Sequence, residues 1–276
     1  VGPQGWSHRL NPATEVAAYI SVGEVHPTRP FFSKLKPEWK LGANTAWGSV
    51  VVDQAAPGWS AFYLAEVMAP LWARGFRTFF LDTMDSFNLV ATTPEARAKQ
   101  AAGLANLVRE IKRAYPGAKL IFNRGFEILP EVNQLAWAVA AESLFEGYDA
   151  GKSEYRPVPP ADREWLLGQL RRVKDEWKLP VIVIDYVPAT QRAKARETAQ
   201  KIRALGFIPY VTTPGLDSIG VGEVEVLPRQ VLDHILVRAA ERAGARRDQG
   251  HGRRQGAVER RIRHPALSTR PQPAHH

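Results

Sequence analysis

Short, almost continuously apolar runs alternate along the chain with longer amphipathic stretches. The runs lie at 16–22, 49–52, 78–81, 120–123, 136–141, 181–184 and 209–211. Near-continuous apolarity over so few residues predicts strands buried on both faces, as in parallel sheets. The stretches between them carry helix signals. Thr93-Pro94-Glu95 sets a capping hydroxyl before a first-turn proline and predicts a helix to about Tyr115. Asp162 opens a second helix that stops near Leu179-Pro180, Thr190 a third that ends at Gly206, and 59–75 forms another. Strand and helix in alternation predict βαβ units.

A doubly wound sheet and a closed barrel share this periodicity, and the polar residues separate them. Six of the seven runs end at or just before a polar or acidic residue: Glu24, Asp53, Asp82, Asn123, Glu142 and Asp185. A barrel gathers chemistry from the C-terminal ends of many strands, whereas an open sheet concentrates it at one switch point. Neither GxGxxG nor GxxxxGK[ST] occurs, which removes the usual support for nucleotide binding. The expectation is a (β/α) barrel of the TIM type, over residues 1–237.

Composition changes this picture only at the C-terminus. The chain of 276 residues carries a net charge of +9, yet ten arginines against three acids from Arg238 onward account for seven of those charges. The remainder has an ordinary globular balance, so the expectation is a basic, unstructured tail over 238–276 rather than a nucleic-acid-binding domain. With no cysteine there is no disulfide, thiolate metal site or cysteine nucleophile. Histidines outside the tail are too few to suggest a metal site, and no serine sits in a GxSxG elbow. No apolar run approaches the roughly 18 residues of a membrane span.

Two acids stand out. Asp82 follows the apolar run of GFRTFFLDTMDSF, and Glu142 follows that of LAWAVAAESLFEGYD. An aspartate in such a position can simply cap a helix, and Asp85 fits that description better than Asp82. A carboxylate adjoining a buried strand needs a partner or a function, because an unpaired buried charge is costly. Two carboxylates at an aromatic-lined mouth suit glycosidic bond cleavage, one protonating the leaving oxygen and the other attacking carbon or activating water. Trp47, Trp59, Phe87, Phe145, Tyr148 and Tyr186 are the candidate sugar platforms, each individually more often a packing residue.

Taken together, AYISVGEVHPTR, GFRTFFLDTMDS, NRGFEIL, AAESLF and VIDYVP resemble the endo-α-1,4-polygalactosaminidase-like glycoside hydrolases, and the stretch PYVTTPGLDSIGVGEVEVLPR is most similar to the N-terminal hydrolase domain of the PelA proteins. The resemblance runs in order over roughly 15–235. It implies a (β/α)8 barrel, no cofactor, and cleavage of partly deacetylated galactosamine polymers such as the biofilm exopolysaccharide Pel. It also implies a periplasmic or extracellular setting and contact with export machinery. Asp82 and Glu142 match the acids after the family's fourth and sixth strands, the former as nucleophile and the latter as general acid/base by analogy with related α-glycosidase barrels. Glu24 matches its SxGE glutamate, Arg29 the arginine that follows, Asn123 and Glu127 its N-x-GFE motif, and Asp185 its DY aspartate.

The family has a strand ahead of YxSVGE, and residues 1–15 contain no such run, so the expectation is a barrel lacking its first strand, a fragment or a chain with an upstream start. Glu24, Asp53, Asp82, Asp85, Glu127, Glu142 and Asp185 would form an acidic rim attractive to a cationic amino-sugar polymer. The alternative for some of them is ion pairing with Arg29 and Arg124. The rival to a hydrolase is a non-catalytic polysaccharide-binding barrel that guides polymer during export.

Overall fold

The computed structural model describes residues 15–216, 221–222 and 236–238. In chain order the elements are β1 (Val16–Ser21), β2 (Glu24–Val25), β3 (Lys40–Asn44), β4 (Ser49–Val52), α1 (Trp59–Tyr63), α2 (Ala69–Ala73), β5 (Thr78–Asp82), α3 (Pro94–Ala114), β6 (Lys119–Asn123), α4 (Leu129–Val132), β7 (Ala138–Glu142), β8 (Glu146–Asp149), β9 (Glu154–Pro157), α5 (Pro160–Asp175), β10 (Val181–Tyr186), α6 (Arg192–Ala204), β11 (Ile208–Thr212) and β12 (Leu236–Arg238). A π-helical segment (Leu64–Met68) joins α1 to α2 just ahead of Pro70, whose missing N–H cannot continue an α-helical ladder.

The main sheet is all parallel, in the order β11-β10-β7-β6-β5-β1-β12. From β1 to β11 the strands follow one another in chain order with helices between, as in a TIM-type barrel. Among the described residues the sheet ends on β11 and β12 and is not closed. Its membership differs from the expectation at two places. The run at 49–52 leaves the parallel sheet and pairs antiparallel with β2 and β3 in a small separate sheet. The turn at 45–48 joins it to β3 too tightly for a parallel crossover, which needs a dozen or more residues, and so makes an antiparallel hairpin. Leu236–Arg238 instead pairs parallel with Val16–Ala18. Residues 1–14, where an upstream strand was in question, and the predicted tail beyond Arg238 lie outside the described residues.

Each strand of the parallel sheet divides its side chains by period 2. One set (Ala18, Ile20, Phe79, Leu81, Leu120, Phe122, Val139, Ala141, Val181, Val183 and Val211) packs beneath the helices. The other set (Ala17, Phe80, Ile121, Ala138, Ala140, Ile182 and Ile184) fills the interior, with Tyr19, Ile208 and Tyr210 packed against it. Thr78 and Lys119, at the start of their strands, both donate to the Glu15 carboxylate, Lys119 at 2.6 Å, so a polar cluster adjoins the N-terminal ends.

The helix signals act as expected at α3, where the Thr93 hydroxyl accepts from Ala96 N at 3.1 Å. Asp162 and Thr190 do not cap. α5 starts at Pro160, which places Asp162 inside the first turn, and α6 starts after Gln191. Fixed proline geometry at N1 outweighs the side-chain cap in α5. Gly206 ends the α6 region with φ near +77°. Two predicted sugar platforms, Trp59 and Phe87, are fully buried core residues instead.

Helix α3 crosses the chain after β4 at Gly103, where an added Cβ would lie 2.5 Å from Gln54 C and O. Alanine favours a helix by about 1 kcal/mol over glycine, but overpacking against unyielding backbone costs about 1–3 kcal/mol. Gly103→Ala is therefore expected to lower stability by up to about 2 kcal/mol, measured as the urea unfolding midpoint with an unchanged m-value.

Candidate active site

The interior set of side chains turns polar at the C-terminal ends of the strands. Continuing the alternation one step gives Asp82 above Phe80, Asn123 above Ile121, Glu142 above Ala140 and Tyr186 above Ile184. Register then decides which of them meet. Leu81 faces Phe122, so Asp82 and Asn123 are the next pair up, while Asn123 lies level with Ala140, one interior step below Glu142. The small Ala138 and Ala140 lie fully buried in the interior set beneath Glu142.

Asn123 ties the two acids together. Its Nδ2 donates to Asp82 Oδ1 at 2.8 Å and to Glu142 Oε1 at 3.3 Å. These oxygens therefore lie no further apart than the sum of the two lengths, about 6 Å. The reverse amide orientation would aim a carbonyl oxygen at two carboxylates, so the acceptors fix it. Its cost is that Asn123 Oδ1 is buried without a hydrogen-bond partner. Each remaining carboxylate oxygen takes a tyrosine: Tyr19 Oη donates to Asp82 Oδ2 at 2.5 Å, and Tyr186 Oη donates to Glu142 Oε2. Were both acids ionised, charges about 6 Å apart would repel by about 3 kcal/mol at an effective dielectric of 20. Hydrogen bonds to charged groups each contribute about 1.5–3 kcal/mol, so three donors outweigh the repulsion and hold the acids close.

Arg29 stands beside this network. It is half-buried and near enough to the Tyr19 and Tyr63 hydroxyls to interact with both. Burial lowers its pKa, while proximity to the two tyrosines raises it. Tyr63 is fully buried, donates to Ser21 O at 2.9 Å, and is pushed up by desolvation against the lowering effect of Arg29.

The loops beyond the strands are clamped by short contacts. Thr83, with φ near +62°, accepts from Gly23 N through Oγ1 at 2.9 Å. A Cβ at Gly23 would sit 2.1 Å from Thr83 O, which is why the SVGE segment has glycine there. Arg124 donates to Glu142 O at 2.7 Å and pairs with Asp85 at 3.8 Å, so Asp85 takes part in an ion pair rather than standing free.

The other predicted site residues scatter. Glu24 is 5% exposed and accepts from Asn44 at 2.9 Å, Ser86 at 2.6 Å and Ser49, holding the small sheet against the loop after Asp82. Asp53 accepts from Ala55 N at 3.0 Å and Gln100 at 2.7 Å, and lines a separate cleft with Leu41, Val90 and Lys99. Glu127 is exposed and accepts from Asn88 at 3.1 Å. Tyr148 meets Tyr155 edge to face, with ring centroids 5.1 Å apart, on the β8–β9 hairpin. Trp47 is exposed on the turn between β3 and β4.

Asp185 is 0% exposed and falls on the helix-facing set, opposite in parity to Tyr186. It accepts from the backbone N–H groups of Leu144, Phe145 and Glu146 at 2.7, 2.8 and 2.9 Å. Burial pushes its carboxyl up to about 6, opposed by those three hydrogen bonds and reinforced by the nearby Glu146 charge. Tyr19 was not singled out in the sequence, although a tyrosine inside an apolar strand requires a hydrogen-bond partner. Among the described residues no three His, Asp or Glu side chains are grouped to hold a metal ion, and no helix is long and apolar enough to cross a membrane.

Comparison with known proteins agrees with this arrangement of strands and helices. The glycoside hydrolase domain of PelA from Pseudomonas aeruginosa is 42% identical over 76% of this chain and 82% of its own, with a TM-score of 0.69. A variant of that domain with one glutamate replaced by alanine superposes with a TM-score of 0.68 at the same identity and coverage. An uncharacterized protein of Deinococcus radiodurans is 28% identical over 207 residues, 73% of this chain, and the chain spans 65% of that relative's length. The profile of glycoside-hydrolase family GH114 matches residues 6–229, and the chain belongs to that family.

Proposed function

We propose that this chain is an endo-acting glycoside hydrolase of galactosamine- and N-acetylgalactosamine-rich exopolysaccharide, working through Asp82 and Glu142 by a retaining mechanism. The observation that carries the reading is the shared Asn123 amide, which keeps an oxygen of each carboxylate within about 6 Å of the other at the C-terminal ends of strands two apart in the sheet. Retaining glycosidases hold their carboxyl groups about 5–5.5 Å apart and inverting ones about 6.5–9.5 Å, and retention is the part of this proposal that the oxygen-to-oxygen limit is compatible with.

On this reading Asp82, held by two neutral donors, is the nucleophile. Its free lone pair attacks the anomeric carbon as Glu142 delivers a proton to the departing glycosidic oxygen. Water then enters, Glu142 takes its proton, and the Asp82 ester is displaced with overall retention. Tyr19 and Asn123 fix the Asp82 carboxylate in line for attack, and Tyr186 orients Glu142.

The cationic character of a deacetylated galactosamine polymer suits the acids that remain available. Glu24 and Asp185 are engaged inside the protein, Asp53 lies in a separate cleft and Asp85 is paired with Arg124, so attraction would come from Asp82, Glu142 and Glu127 rather than from all seven predicted acids. A polymer of this kind, and action in the periplasm or outside the cell alongside export machinery, are parts of the same proposal.

Asp82→Asn and Glu142→Gln are each expected to lower release of reducing ends from partly deacetylated galactosamine polymer by at least about a thousandfold. NMR of the first-formed product is expected to show the substrate's anomeric configuration. Variants that turn over as fast as wild type would sink the assignment of this pair. Polymer binding without turnover in the wild-type protein would instead mark a binding barrel.

Tyr19→Phe, which removes one neutral donor to Asp82, is expected to reduce kcat about tenfold with little change in KM. Steady-state kinetics on the same polymer checks this.

A further inference from the structure

The sheet's alternation places one strongly conspicuous acid where no substrate can reach it. Asp185 closes β10 on the helix-facing side, is fully buried, and gives both carboxylate oxygens to the backbone of 144–146. That segment begins two residues after Glu142 and leads directly into the β8–β9 hairpin. Leu144 is also anchored by complete burial in the core.

We propose that Asp185 is a positioning residue for the acid/base: by gathering three consecutive backbone N–H groups it fixes the path of the chain leaving Glu142 and so the place of the Glu142 carboxylate. This inference rests on the reading of Glu142 given above. Asp185 itself touches neither sugar nor reacting atoms.

Three features support the assignment. A carboxylate is an acceptor on all its lone pairs, so one ion can satisfy three converging donors, whereas a neutral amide of the same shape presents N–H to N–H on one side. The neighbouring residue, Tyr186, points to the other face and donates to Glu142. The Glu142 end of β7 is thus held from both faces of β10, at the carboxylate by Tyr186 and at the following backbone by Asp185. Register agrees, since Ile184 of β10 is paired with Glu142 itself.

The same geometry carries a pH signature. The charged group that bears on Asp185 is Glu146, at the start of the hairpin, and Lys194 of α6 pairs with Glu146 at 2.8 Å. With its carboxyl raised to about 6 by burial, Asp185 takes up a proton in the folded protein before it would in the unfolded chain. Protonation relieves a buried charge, so this group's contribution to stability rises as pH falls from about 6 to about 4. The hold on the three amides weakens over the same interval. Stability and turnover are therefore expected to move in opposite directions.

The test is Asp185→Asn in the full chain, assayed on partly deacetylated galactosamine polymer. Expected are a ten- to hundredfold loss of kcat, KM within about twofold of wild type, and loss of the acid limb near pH 6. Hydrogen exchange at Leu144, Phe145 and Glu146 should accelerate, while amides of α3 remain protected. Urea unfolding should show wild type gaining stability over the variant as pH falls from 6 to 4. Wild-type kcat, pH profile and amide protection in Asp185→Asn would overturn the proposal. If that variant does not fold, Glu146→Gln supplies the readout: removing the like charge should move the acid limb to lower pH, and an unmoved limb overturns the proposal. Full turnover by Asp82→Asn and Glu142→Gln would instead overturn the functional reading beneath it.

Discussion

In a parallel sheet buried on both faces, every strand must send alternate side chains to two different dry environments. Here one set packs beneath helices and the other into the interior, and neither environment tolerates an unpaired charge. Polar residues are consequently pushed to the strand ends. At the C-terminal ends the interior set finishes with Asp82, Asn123, Glu142 and Tyr186, and those four are bonded to one another. The helix-facing set finishes with Asp185, which finds backbone donors instead. One constraint thus sorts the acids into two kinds.

The pair at the mouth depends on its neutral donors. Without Asn123, Tyr19 and Tyr186, the two acids would lose their common anchor and could move apart. With them, each oxygen has one partner and the separation is fixed by an amide rather than by flexible side chains. The unsatisfied Asn123 Oδ1 is the local cost of that arrangement. Outside the pair, Gly23 and Thr83 brace the Asp82 loop, while Arg124 braces the backbone at Glu142. The protein spends several buried polar contacts on a few square ångströms of cleft, which is the pattern expected of a preorganised site.

Much of this was legible in the chain. Alternating apolar runs and amphipathic stretches gave the α/β class and the parallel strands, since burial on both faces leaves a continuous hydrophobic trace. Thr93-Pro94 marked α3 because capping is a local interaction of adjacent residues. The run at 49–52 misled, because β-propensity says nothing about which sheet a strand joins; the tight turn at 45–48 pairs it with an antiparallel partner. Tyr19 passed unnoticed, since its bond to Asp82 links residues 63 positions apart.

The sequence by itself determined which residue types end each strand, and parity alone could separate Asp185 from Tyr186. It could not assign Glu24, Asp53 and Asp185 to internal partners, because those partners arrive from distant segments. Only the tertiary structure set the strand register, and register decides which interior side chains share a level. That is why Asp82 and Glu142, two strands apart, meet on a single amide of Asn123.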